Sequence, residues 1–168
     1  MKVIYLDNNA TTKVAPEVVD AMLPYLSEYY GNPSSMHSFG GDVADKIKEA
    51  RKNVANLIGA TADEIVFTSC GTESDSTAIR AAVESNPDRK HIVTSRVEHP
   101  AVKNLYETLS KKGYRVTFVP VDNQGRLDLD YLYSNLSNDT AVVSLMWANN
   151  ETGVIFPIEE ISQKIKDR

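Results

Sequence analysis

Two periodicities of apolar and polar positions alternate along this chain, and the switches between them divide it into elements. Val3-Ile4-Tyr5-Leu6 is a short strand-like run that ends in the polar Asp7-Asn8-Asn9-Ala10-Thr11-Thr12. Pro16 suits the first turn of a helix in which Val18, Met22 and Leu26 share a face, and Pro24 kinks or shortens it. Gly31-Asn32-Pro33-Ser34-Ser35 reads as a loop. A second helix carries Val43, Ile47, Ala50, Val54 and Leu57 on one stripe, with Gly59 at its C-terminal end. From there strand and helix alternate. Strands are expected at 64–68, 91–95, 115–119 and 141–146, and helices at 72–84, 100–112, 128–136 and 157–168. That order predicts βαβ units and a mainly parallel sheet with helices on both faces. Ala141-Val142-Val143-Ser144-Leu145-Met146 is apolar enough to be a central strand covered on both sides.

Composition narrows the class. The 168 residues could form one ordinary domain, and no internal repeat, low-complexity tract or domain-sized linker interrupts them. A net charge of −5 without a basic block argues against a nucleic-acid surface. No apolar run is long enough to span a bilayer, and the N-terminus lacks a signal layout, so no membrane partner is expected. One cysteine excludes an internal disulfide and any multi-cysteine metal site, and no two histidines have ligand spacing. The expectation is a soluble, cytoplasmic α/β protein. Its last helix, marked by Ile158, Ile161 and Ile165, stops at Lys166-Asp167-Arg168 with no Gly, Asn or Pro to close it. Truncation is therefore expected as well.

The run Ile65-Val66-Phe67-Thr68-Ser69-Cys70-Gly71-Thr72-Glu73-Ser74 passes from a β-branched stretch through a small polar turn into a helical pattern. Such a turn aims backbone N–H groups at one spot on the positive end of a helix dipole, where a phosphate fits, and the Thr72 hydroxyl adds a donor. Turns and N-caps select the same residues without any ligand. Neither G-x-G-x-x-G nor G-x-x-x-x-G-K-[ST] occurs, so a phosphate here belongs to another ligand class.

Ligands of open α/β sheets bind beyond the carboxyl ends of the strands. Three polar clusters follow strands, namely Ser69-Cys70-Gly71-Thr72, Glu98-His99-Pro100-Ala101-Val102 and Trp147-Ala148-Asn149-Asn150-Glu151-Thr152-Gly153. Parallel strands would place all three on one rim. His99 precedes Pro100, so it sits near a helix N-terminus that favours a neutral imidazole, or it is hydrogen-bonded at the helix entrance. His91 reads as a solvated edge beside Lys90, and His37 as part of a loop that could approach a ligand. The Asn150 amide suits a ring hydroxyl or a carboxylate, whereas Asn149 reads as a turn residue. Cys70 invites a nucleophile reading because a helix N-terminus depresses a thiol's pKa, but a small, buried structural role is preferred. Asp7 and Glu73 could form an acid–base pair, though nothing in the sequence places them together.

Taken in order, Tyr5-Leu6-Asp7-Asn8-Asn9-Ala10-Thr11-Thr12, Gly31-Asn32-Pro33-Ser34-Ser35-Met36-His37, Phe67-Thr68-Ser69-Cys70-Gly71-Thr72-Glu73-Ser74, Glu98-His99-Pro100-Ala101-Val102 and Asn149-Asn150-Glu151-Thr152-Gly153 resemble the pyridoxal-phosphate (PLP) cysteine desulfurases. The Cys70–Ile79 run and the Met146–Asn150 context look closest to the NifS-like branch. The resemblance implies a truncated, aspartate aminotransferase-like large domain of a fold type I PLP enzyme. Residues 1–15 would be an N-terminal segment near the active site and small domain, and 16–168 the first half of the PLP-binding domain. It implies L-cysteine as substrate, L-alanine as product, and sulfur held as a persulfide for an iron–sulfur scaffold protein, nitrogenase assembly included. A homodimer is implied for the complete protein. Gly71 and Thr72 would bind the cofactor phosphate, His99 would stack on the ring and assist proton transfer, and Asn150 would lie near the ring hydroxyl and the substrate carboxylate. The family's Ser-x-His-Lys segment with the cofactor-anchoring lysine, its Asp-Ala-x-Gln segment, its substrate-binding arginine and its mobile loop with the nucleophilic cysteine have no counterpart in these 168 residues. The chain alone is therefore expected to be inactive. The alternatives are another fold type I PLP enzyme, such as an aminotransferase or β-lyase, and a non-catalytic half-protein that needs a partner chain.

Overall fold

A computed structural model describes residues 3–167. The chain divides into two compact units, one ending at Phe67 and the other beginning at Thr68. In the first, α1 (Pro16–Met22) and α2 (Pro24–Ser27) are separated at Leu23, because Pro24 supplies no N–H to continue the ladder. The long α3 (Ser38–Ile58) ends at Gly59, whose φ of 71° is the left-handed conformation that closes a helix without a Cβ clash. Its entrance is tight. A Cβ on the buried Gly40 would stand 2.4 Å from the Asn32 carbonyl oxygen, so only glycine lets the 31–35 loop lie against this turn.

Two expected strands, at 64–68 and at Val3–Leu6, do not form, and one helical stripe is largely uncovered. Residues 65–68 are extended but pair with no strand, and Val66 and Phe67 stay exposed. The segment is held instead by Arg51, which donates to the Ile65 carbonyl and lies 4.9 Å over the Phe67 ring. The α3 stripe exists as a pattern, but only Val43 of the named residues is buried, and Leu57 is 85% exposed. Val3–Leu6 likewise forms no strand and is exposed.

The second unit is the α/β layer structure the alternation predicts. Its elements are α4 (Gly71–Glu84), β1 (His91–Ser95), α5 (Pro100–Lys111), β2 (Arg115–Val119), α6 (Leu129–Asn135), β3 (Thr140–Ser144) and α7 (Ile158–Lys166). All pairings are parallel, in the order β2-β1-β3. Alternate side chains of β1 feed two cores, as a pleated strand requires. Ile92 packs with Ile79 and Val83 of α4 and with Val102, Leu105, Tyr106 and Leu109 of α5. Val93 packs on the other face with Leu132 and Tyr133 of α6, Phe156, and Ile161 of α7. The central strand is β1, buried at all five positions, not the 141–146 segment. Among the described residues β3 pairs on one side only and is half-buried, because β1 lies between the other two strands.

His91 is the clearest correction. It is fully buried in that central strand. Its Nδ1 lies 2.9 Å from Thr140 Oγ1 and its Nε2 lies 2.8 Å from Thr117 Oγ1. One imidazole thus ties the start of β1 to both neighbouring strands.

Candidate cofactor site

Parallel strands with returning helices bring the carboxyl ends of β1 and β3 and the N-termini of α4 and α5 to the same edge of the second unit. The α4 turn begins at Cys70, extended at φ −167° and ψ 171°, which makes no side-chain capping bond. Glu73 reaches back instead, accepting from Ser69 N at 2.6 Å and from Ser69 Oγ at 2.7 Å. The Ser69 hydroxyl and N–H hold the Glu73 carboxyl below its ordinary range. Ser69 N–H is therefore committed, and the cradle narrows to the first N–H groups of α4, at Gly71 and Thr72, with the exposed Thr72 hydroxyl beside them. Nothing lies within 4 Å of where a Cβ on Gly71 would stand, so a ligand can approach this backbone closely.

Cys70 is exposed, which overturns the buried structural role. The Glu73 backbone N–H, then the Ser69 hydroxyl, hold its thiol below the ordinary value. Glu73 is engaged with Ser69.

His99 is the N-cap of α5, with Nδ1 accepting from Ala101 N at 3.2 Å. An accepting Nδ1 in a neutral ring leaves the proton on Nε2, and the exposed ring retains one donor for a ligand. The helix-entrance reading of His99 holds, and the rest of its ring is exposed. His37 plays the same capping part in α3, accepting from Gly40 N at 3.2 Å, and is anchored by that bond.

After β3 the chain forms a small hairpin that the sequence pattern did not announce. Ala148 bridges Ile155, Gly153 turns at φ 74°, and the buried Phe156 anchors the return. Asn149 is the turn residue expected, its Oδ1 accepting from Glu151 N at 3.0 Å and Thr152 N at 2.9 Å. Asn150 sits at the exposed tip, its Nδ2 donating to Glu151 Oε1 at 2.9 Å. Trp147, the one tryptophan in the sequence, is exposed beside it.

Hydrogen bonds join the His99 and Asn150 segments. Glu98 Oε1 accepts from Ser95 Oγ at 2.8 Å and from Met146 N at 2.9 Å. Burial pushes the Glu98 carboxyl up, and the charge of Asp75, one turn into α4, pushes it the same way. Beneath it the Tyr106 hydroxyl is fully buried without an aligned partner, and burial drives its pKa to about 12. Glu98 belongs to no motif with a role of its own. Its signal was a lone acidic residue directly before the helix-capping His99.

A parallel α/β layer with an anion cradle, a helix-capping imidazole and an amide-tipped hairpin on one edge defines a cofactor-binding domain. The chain belongs to the aminotransferase class-V family, which it matches over residues 4–168. It is 58% identical over all 168 residues to a cysteine desulfurase of Trichormus azollae, covering 42% of that protein. It is 57% identical over 165 residues to the cysteine desulfurase NifS of Azotobacter vinelandii, covering 98% of this chain and 41% of that one. Among solved structures, a NifS-like protein superimposes with a TM-score of 0.94 at 39% identity, covering 98% of this chain and 45% of that one. SspA in complex with cysteine gives 0.91 at 32% identity, covering 97% and 47%. The chain thus spans about two fifths of the length of the curated relatives it matches.

These relatives are PLP-dependent, and the residues present fit one end of that cofactor. Gly71 and Thr72 present N–H and hydroxyl groups that could receive its phosphate, at a helix terminus whose dipole favours an anion. Among the described residues no group of three His, Cys, Asp or Glu could hold a metal ion, and no helix is long and apolar enough to cross a membrane.

Proposed function

We propose that the protein carrying this chain is a PLP-dependent cysteine desulfurase that converts L-cysteine to L-alanine and retains the sulfur for transfer. The observation that carries this reading is 58% identity to curated cysteine desulfurases over every residue of the chain. The rim geometry supports it. In this reading Gly71 and Thr72 hold the phosphate, the His99 imidazole lies against the cofactor ring, and the Asn150 amide serves the ring hydroxyl and the substrate carboxylate. Bound PLP would supply an electron sink for cleavage at the substrate's carbons. His99, donating from Nε2, would hold or move a proton there, while α5 fixes its other nitrogen. A relative solved with cysteine supports the substrate class, and likeness to NifS supports delivery to an iron–sulfur scaffold protein, in nitrogenase assembly. A cytoplasmic homodimer is the form proposed for the complete protein.

The test uses the complete product of this reading frame, incubated with PLP and L-cysteine. Stoichiometric L-alanine with sulfide released by a thiol is the expected result. Keto acid formation would point to an aminotransferase, and neither product would overturn the reading.

A further inference from the structure

Strand pairing between β1 and β3 stops at Thr94 and Ser144. Beyond that point no strand ladder fixes the distance between the connection that carries His99 and the hairpin that carries Asn150. Two side chains take over. Met146 N donates to Glu98 Oε1, and Asn149 Nδ2 donates to the Val97 carbonyl at 3.3 Å. Both bonds are donated by the hairpin segment and accepted by the connection, and each segment contributes one of the two side chains. Each clamping side chain is the immediate chain neighbour of a rim residue, Glu98 of His99 and Asn149 of Asn150. Asn149 is only 8% exposed, and its Oδ1 simultaneously closes the hairpin turn, so one amide sets both the shape of the hairpin and its attachment. Glu98 is half-buried and collects two donors on one oxygen, a task for an acceptor-only group.

We propose that Glu98 and Asn149 are positioning residues that fix the spacing between His99 and Asn150 before the cofactor arrives. In the PLP reading of the rim, the cofactor ring lies between that imidazole and that amide. This rests on the PLP reading of the rim and extends it to two residues that touch no ligand. Pre-ordered groups bind without spending affinity on ordering themselves, and small misplacements of a binding group are costly. The charge of Glu98 is not what the clamp needs; its acceptor oxygen is. A glutamine keeps that oxygen and removes the repulsion between the carboxylate and Asp75.

The experiment compares Glu98→Ala, Glu98→Gln, Asn149→Ala and Asn149→Asp in the complete product of the reading frame. It measures PLP affinity and the visible circular dichroism of the bound cofactor. Glu98→Ala and Asn149→Ala are expected to weaken PLP binding about tenfold or more and to alter the dichroism of what binds, whereas Glu98→Gln stays near the parent. Should Glu98→Ala fail to fold, Asn149→Asp decides, because it keeps the turn acceptor and removes the Nδ2 that donates to the Val97 carbonyl and to Met146 Sδ. A lowered melting temperature with unchanged affinity and unchanged dichroism would mean a structural role alone and overturn the proposal. If the parent protein takes up no PLP, the cofactor reading fails by itself. The clamp is then judged on amide exchange at Met146 and on the His99 ring resonances. Both should shift in Glu98→Ala and recover in Glu98→Gln, and no shift would overturn it.

Discussion

At the scale of single residues, His91 shows how chemistry depends on neighbours that a sequence does not display. Beside Lys90 it reads as solvated, yet the crossover connections bring Thr117 and Thr140 to its two nitrogens and bury it. Burial first, then the nearby Arg115, push its pKa below the ordinary 6.5, while Asp139 opposes them. The unfolded chain therefore binds a proton that the folded chain resists. The stability His91 contributes is present above pH 6.5 and is lost as pH falls below it. Denaturant melts at pH 7.5 and 5.5 should show this loss, and His91→Gln should reduce it. His91→Ala should cost about 2–4 kcal/mol at neutral pH by leaving a cavity and taking a partner from each of two threonine hydroxyls. Glu98 has the opposite sign. Its raised pKa makes the folded state less stable as pH rises from 4.5 through the folded value, so the advantage of Glu98→Gln in melting temperature should grow between pH 4 and 8. At the cradle, Thr72→Ala should weaken PLP binding by about 1.5–3 kcal/mol, read by fluorescence titration, through loss of one hydrogen bond to a charged group. Gly71→Ala should leave the fold intact, since its added methyl meets nothing. A loss of affinity in that variant would mark where the ligand lies.

Element by element, the sequence was legible wherever local pattern and tertiary context agree. The bounds of β1 and β2 match the residues expected from apolar runs between turn signals, and α4 through α7 fall within a few residues of theirs. Pro24 and Gly59 acted as backbone rules require. Gly59→Ala should cost about 1 kcal/mol in thermal melts, because alanine resists a φ of +71°. The failures share one cause. A strand needs a partner, and residues 65–68 have the propensity of one without the pairing. A helical stripe needs a surface to cover it, and Ile47 and Val54 are only partly covered while Leu57 is left largely bare. Of the site, the cradle and the capping histidine could be read from turn chemistry, whereas the Glu98 bond to Met146 spans 48 residues and has no local signature.

For the whole molecule, the prominent fact is apolar surface. Val3, Ile4, Leu6, Met36, Leu57, Val66 and Ile155 are all strongly exposed. The 168-residue chain on its own should therefore bind an environment-sensitive apolar dye. It should also hold PLP weakly and show no desulfurase activity, because it contains no Ser-x-His-Lys segment. Borohydride reduction followed by mass spectrometry checks this, and a stoichiometric pyridoxyl adduct on one lysine would refute it. The His91 tie carries one more implication, for the order of folding. Its two threonines lie 26 and 49 residues downstream, so the tie closes only after both crossovers have formed. Every strand contact in this sheet is likewise distant along the chain, which makes assembly slow relative to the helices around it. The protected His91 ring resonance should therefore be among the last native signals to emerge on refolding, a built-in clock for completion of the sheet.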